Sequence, residues 1–249
     1  MKKMITPWIC AFLCAIAMAA SCIGDATANV VITGTRVIYP QQEREVTVRL
    51  DNKGELPALV QTWVDKGDPN AQINKLEVPF VLMPAVFRVE PGKGQTLRLS
   101  YTGEPLPQDR ESVFWLNVLD IPPKTAAVEG ENLLQMAIRS RIKLFFRPAT
   151  LNAEGAMDAI GNTRWHMTDA TTLRGENPSP YHVNIAAVTL KTNGKSISTK
   201  AGGMLAPHSS ATFRLERPVS SSSNNVELTI NAINDFGGVT AAKGALSAR

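Results

Sequence analysis

One stretch constrains this chain more than any other: Asn132 to Pro148, NLLQMAIRSRIKLFFRP. Its even positions read Leu134, Met136, Ile138, Ser140, Ile142, Leu144 and Phe146. Its odd positions read Gln135, Ala137, Arg139, Arg141, Lys143, Phe145 and Arg147. A period of two sends alternate side chains to opposite faces of an extended chain, so the stretch is a β-strand with one apolar and one largely basic face. The pattern spans more than twice the usual strand length of about 5–6 residues. Such a strand must bend, change sheet or offer an edge, and an apolar edge is a template for a second chain. The apolar side chains can therefore be core, or Leu134, Met136 and Ile138 can dock into a partner. Alternation alone does not choose.

The rest of the chain is built from short β-rich runs with turn punctuation. Val30–Tyr39, Glu45–Leu50, Ala58–Val64, Phe80–Met83, Val86–Glu90, Gln95–Tyr101 and Ser112–Leu119 precede the long strand. Asp51-Asn52-Lys53-Gly54, Pro91-Gly92-Lys93-Gly94 and Pro122-Pro123 separate them. No sustained helical period is seen. Seven or more short strands at this spacing predict an immunoglobulin-like sandwich. After Pro148 the pattern restarts with Arg164–Thr168, Leu173–Glu176, His182–Leu190, Ala211–Leu215 and Val226–Ile233, and Asn193-Gly194 signals a hairpin. The expectation is all-β, with a first domain over 29–148 and a second over 149–249.

Residues 1–28 read as an export signal. Lys2 and Lys3 form the charged start, Ile9–Ala20 an apolar core too short to span a bilayer comfortably, and Ala26-Thr27-Ala28 a cleavage site. A lipoprotein anchor at Cys22 is disfavoured by Ala19, where a larger aliphatic residue is usual. All three cysteines (Cys10, Cys14, Cys22) lie in this leader, so the remaining chain has no thiol for catalysis, zinc or a disulfide. The short basic start suits a bacterial exporter and a periplasmic destination.

The formal net charge is +4 over 249 residues, without the dense Lys/Arg runs of a nucleic-acid protein. His166, His182 and His208 are the only histidines and are expected as solvated strand residues. There is no G-x-S-x-G, H-E-x-x-H or phosphate-cradling glycine loop. No enzyme, metal or cofactor is expected.

What is present is a constellation. Leu106–Pro123 reads LPQDRESVFWLNVLDIPP. With Thr35-Arg36-Val37-Ile38, Ile142–Pro148, Asn177-Pro178-Ser179-Pro180-Tyr181 and Asn234-Asp235-Phe236-Gly237-Gly238, it makes five segments in order across both predicted domains. Together they resemble the periplasmic pilus-assembly chaperones, the PapD-like family, over essentially all of 29–249. The short segment between Pro123 and Asn132 resembles the family's short-loop branch.

The resemblance implies two immunoglobulin-like sandwiches in a boomerang and a partner that is a fimbrial (pilus) subunit, bound by strand donation and delivered to an outer-membrane usher. It implies that Arg36 and Lys143 anchor the subunit's terminal carboxylate. Leu134, Met136 and Ile138 would fill the subunit's missing strand, and Glu111, Arg147 and Asp235 would form an ionic network between the domains. Each role has a physical sense. A carboxylate suits a Lys and a forked Arg, residues 134, 136 and 138 share one face, and a buried Arg147 needs carboxylate partners. Met136 is softer than Ile or Leu, so it specifies a pocket less sharply. Self-capping of the exposed edge as a dimer is a further question the resemblance raises. The competing reading is a secreted immunoglobulin-like binding or adhesion module, which would have no affinity for a terminal carboxylate.

Overall fold

The computed structural model describes residues 29–123, 136–192, 194–219 and 226–246. The leader, Leu134, Asn193 and the polar run 220–225 lie outside the described residues.

The first sandwich consists of two sheets. One has the order β1 (Val30–Ile32), β3 (Val46–Asn52), β7 (Gly94–Tyr101) and β5 (Phe80–Met83). The other has the order β2 (Arg36–Pro40), β9 (Ile138–Arg147), β8 (Ser112–Ile121), β4 (Ala58–Asp65) and β6 (Val86–Val89). Alternation builds the core. Val48 and Leu50 of β3 and Leu97 and Leu99 of β7 point inward against Tyr39, Leu116, Leu144 and Phe146 of the facing sheet. Each such side chain contributes roughly 1.5–3 kcal/mol by leaving water.

The run Val30–Tyr39, expected as one strand, is two. Gly34 takes φ 105°, a left-handed conformation that other residues avoid, and the chain crosses there from one sheet to the other. β1 pairs antiparallel with β3, whereas β2 pairs parallel with β9, placing Arg36 opposite Lys143.

The second sandwich sets β10 (Arg164–Asp169), β11 (Thr172–Asn177) and β15 (Ser209–Arg214) against a sheet centred on β12 (Val183–Thr192) and β16 (Glu227–Ile233). β17 (Val239–Gly244) flanks β16. β13 (Lys195–Ser198) and β14 (Gly203–Leu205) share the other edge of β12, and β13 closes a hairpin with Thr192 opposite Lys195. Trp165, Leu173, Val188, Leu190, Leu205, Ile230 and Ala232 form its core.

Among the described residues, one α-helix departs from the all-strand expectation, α1 (Ala153–Gly161), besides a 3-10 turn at Ile73–Lys75. Asn152 caps it by accepting the Gly155 N–H at 2.8 Å. Ala156, Ala159 and Ile160 recur at helical spacing, and the last two are buried. The motif is too short to stand out as a sustained period, and it holds because its apolar side packs on the second sandwich.

Candidate functional site

The site is built on β9. β8 pairs with β9 from Ile138 to Phe146, but β2 covers only Lys143 to Arg147 on the other side. Among the described residues no strand pairs with that edge over Ile138–Ile142. Burial follows the same division. β9 begins at Ile138, so Met136, expected within the strand, lies two residues before it. Met136 is 67 % and Ile138 41 % exposed, whereas Leu144 and Phe146 are fully buried core. The even-numbered face is therefore core in the second half of the strand and open in the first. Leu134 lies beyond what the structure describes.

The odd-numbered face is not simply solvated. Arg139 lies over Trp63 with its guanidinium carbon 4.9 Å from the ring, Arg141 over Trp115 at 4.4 Å, and the Lys143 ammonium 5.6 Å from the same Trp115. Beneath them Asp65 is buried and accepts from Arg141, from Asn117 Nδ2 at 2.8 Å and from the Gly67 N–H at 2.6 Å. Arg139 donates twice to Asn117 Oδ1, at 2.9 and 2.6 Å, and once to the Pro69 carbonyl at 2.6 Å. Burial works to raise the Asp65 pKa, but the Arg141 and Asn117 hydrogen bonds outweigh it and hold the carboxyl below its ordinary range. Trp115 and Asn117 lie in the Leu106–Pro123 segment without a role of their own there, and Trp63 and Asp65 lie outside all five segments. Their signal is cross-strand: Trp63 lies opposite Asn117, and Asp65 opposite Trp115. The layer fixes the basic side of β9 and leaves its free edge extended.

At the end of that edge stand Arg36 and Lys143, directly opposite one another and both partly buried. Both reach into the second domain. The Lys143 ammonium donates to Asn184 Oδ1 at 2.6 Å, and Arg36 Nη1 donates to the Ile233 carbonyl at 2.9 Å. Arg36 Nε is buried with no hydrogen-bond acceptor. Burial lowers the pKa of Lys143, and the adjacent Arg36 charge lowers it further. Burial also lowers that of Arg36, against the opposing charges of Asp235 and Glu111. Two half-dehydrated cations with a spare N–H form an arrangement that an anion stabilises.

The third cluster joins the domains. Arg147 is buried and donates to Glu111 Oε1 at 2.8 Å and to both Asp235 oxygens at 2.7 and 3.0 Å. The Tyr181 ring lies 5.5 Å from its guanidinium carbon. Glu111 Oε2 accepts the His182 N–H at 2.8 Å and faces His182 Nδ1 at 3.3 Å. The expectation of a solvated His182 is corrected here. Its side chain is 4 % exposed and its ring lies 5.3 Å from that of Phe145, because the residue after Tyr181 falls at the domain junction. His166 is partly exposed and His208 exposed.

Acid should loosen this junction. Burial pushes the Glu111 pKa up, yet the His182 hydrogen bonds and the Arg147 charge overcome it and the folded value lies below the ordinary one. Asp65 is shifted the same way. A carboxyl depressed in the folded state stabilises fully above its unfolded pKa and loses that contribution as pH falls through the folded value. Asp120 opposes this. Burial raises its pKa, with only the Val30 N–H at 3.2 Å to hold the charge, so its protonation relieves strain. Glu111 and Asp65 are depressed, along with Asp51 and the exposed Asp109 and Asp169, against Asp120 alone raised. Denaturant unfolding should therefore show stability falling below about pH 4, and Glu111→Gln should flatten that fall. A stability constant from about pH 7 to about pH 3 would contradict the assignment.

Residues 29–152 match the family described as the pili and flagellar-assembly chaperone PapD N-terminal domain. Residues 158–244 match its C-terminal domain. The chain belongs to the PapD-like pilus-assembly chaperone family. Among its chaperone relatives, the protein FimB/FhaD of Bordetella pertussis is 44 % identical over 235 residues, 93 % of each chain. The probable fimbrial chaperone YadV of Escherichia coli is 41 % identical over 233 residues, 91 % of this chain and 92 % of the relative. The CupB2 chaperone of Pseudomonas aeruginosa superposes with a TM-score of 0.75 at 38 % identity, covering 87 % of this chain and all of that one. A chain from the complex of the Salmonella enterica SafA pilin with the SafB chaperone superposes at 0.73 and 30 % identity, covering 90 % and 99 %. The two sandwiches are thus the paired immunoglobulin-like domains of these chaperones.

Proposed function

We infer that this chaperone captures fimbrial subunits by lending them β9 as a strand and gripping their terminal carboxylate. The observation that carries the reading is the open edge of β9 running straight to a pair of half-buried cations. Strand addition is the recognition mode of chaperone–pilin complexes, with backbone bonds giving affinity and alternate side chains filling pockets. Here Leu134, Met136 and Ile138 supply those side chains, and Arg36 and Lys143 bind the carboxylate. Glu111, Arg147 and Asp235 keep the second domain over the anchor. The carboxylate sets the register, which a period of two leaves free.

The same reading holds residues 1–28 to be a cleaved export signal, with domains over 29–148 and 149–249, and places the mature protein in the periplasm. It hands subunits to an outer-membrane usher, caps its own edge as a dimer when unloaded, and performs no catalysis and needs no cofactor. The lack of catalytic motifs in the sequence supports the last point, and the apolar side chains on an unpaired edge support the dimer. An adhesion module would have no use for the cation pair.

The test is Met136→Glu. An exposed position tolerates the charge, so the free protein should melt within about 0.5 kcal/mol of wild type. Co-expressed in a bacterial periplasm with fimbrial subunits of its source genome, the variant should fail to retain them on affinity purification. A variant that cannot fold, or one that retains subunits as well as wild type, would remove Met136 from the docking strand.

A further inference from the structure

Phe236 is 90 % exposed, more than any other large apolar side chain among the described residues. A lone exposed apolar residue is ordinary, but the backbone that carries this one is tied into a hydrogen-bonded turn. Asn234 Oδ1 accepts the N–H groups of Phe236 and Gly238, both at 3.0 Å. The Asn234 N–H donates to the Gly238 carbonyl at 2.8 Å, and the Gly237 N–H to the Asn234 carbonyl at 3.0 Å. Gly237 takes φ 83°, and a Cβ there would lie 2.5 Å from Thr35 Oγ1. The turn is therefore seated against the residue that precedes Arg36. Asp235, next to Phe236, is tied to Arg147, and Ile233, three residues earlier, supplies the carbonyl that holds Arg36.

The second domain thus carries an uncovered aromatic side chain on a turn that is seated against Thr35, the neighbour of the half-buried Arg36. Building on the carboxylate capture described above, we propose that Phe236 reads the side chains of the last residues of the captured polypeptide. Residues one to three before a carboxylate lie within about 10 Å of it along an extended chain. A rigid aromatic offers them a large apolar surface at little entropic cost. The interdomain ion pairs then acquire a second consequence: they set the distance between the anchor and the reader.

The probe is a fluorescently labelled peptide of alternating Val and Thr, with a free terminal carboxylate and with Phe or Ser placed in turn at each of the three positions before its last residue. Anisotropy titrations compare wild type, Phe236→Ser, Phe236→Tyr and Lys143→Ala. Wild type should prefer Phe over Ser at one position by about tenfold. Phe236→Ser should reduce that preference to about twofold or less with unchanged melting, Phe236→Tyr should keep it, and Lys143→Ala should weaken both peptides alike. No preference in wild type, or a preference that survives Phe236→Ser, overturns the proposal. An amidated peptide that binds as tightly as the free acid refutes carboxylate capture instead. The two failures are distinct, because one is read from the side-chain preference and the other from the terminus.

Discussion

Arg147→Ala should destabilise the protein by about 3–5 kcal/mol, the effect expected when one member of a buried ion pair is removed. Its partner Glu111 is 4 % exposed and would remain at the domain junction with only His182 beside it. Asp235 would suffer less. Its side chain is about one-fifth exposed, so water replaces part of what Arg147 supplied. Asp235→Asn should therefore cost less than Arg147→Ala, while still loosening the contact between the sandwiches. The decisive comparison is Arg147→Met combined with Glu111→Gln. Removing both charges avoids an unpaired buried carboxylate, so the double variant should regain most of the lost stability. Chemical unfolding of the three variants measures this, and small-angle scattering reports whether the domains separate. A double variant as unstable as Arg147→Ala would mean that the loss comes from packing against Tyr181 and not from the stranded charge.

Lys143→Ala and Arg36→Ala should fold and yet lose capture. Both side chains are partly buried and repel one another, so truncating either removes a dehydrated cation from an unfavourable neighbour. Melting should change little. Lys143→Ala frees Asn184 Oδ1, and Arg36→Ala frees the Ile233 carbonyl, so a modest loss can offset the relief. Binding is the larger effect. A charge-assisted bond to an ionised group is worth about 1.5–3 kcal/mol, which is roughly 10- to 150-fold in affinity for each cation. The measurement is binding of a peptide copying a fimbrial subunit's C-terminus, as free acid and as amide. Wild type should favour the acid strongly, and each variant should lose most of that margin. Equal affinity for acid and amide in wild type would end the anchoring assignment. The edge of β9 would then need another source of register.

Much of this is legible in the amino-acid sequence. The alternation in Leu134–Phe146 marks a two-faced strand, because side-chain direction in an extended chain depends only on the parity of the position. Five ordered segments mark the family and both sandwiches. What parity cannot encode is which neighbour lies across each half of the strand. Ile138 and Leu144 share a face and have similar chemistry, yet one is open and the other buried, because β2 begins only opposite Lys143. That start is set by the sheet crossing at Gly34, more than 100 residues away in sequence. Periodicity likewise assigned Arg139, Arg141 and Lys143 to one basic face. Only the tertiary structure slides Trp63, Trp115, Asp65 and Asn117 beneath them, through pairings between β4, β8 and β9. His182 and Phe236 show the same limit in opposite directions. A histidine in a polar-looking run is buried, and a phenylalanine is left in water, because the second domain folds onto the first at Arg147 and Thr35. Local pattern determined the elements and their faces. Long-range pairing decided which faces stayed uncovered, because burial depends on what the chain brings alongside and no local period records that.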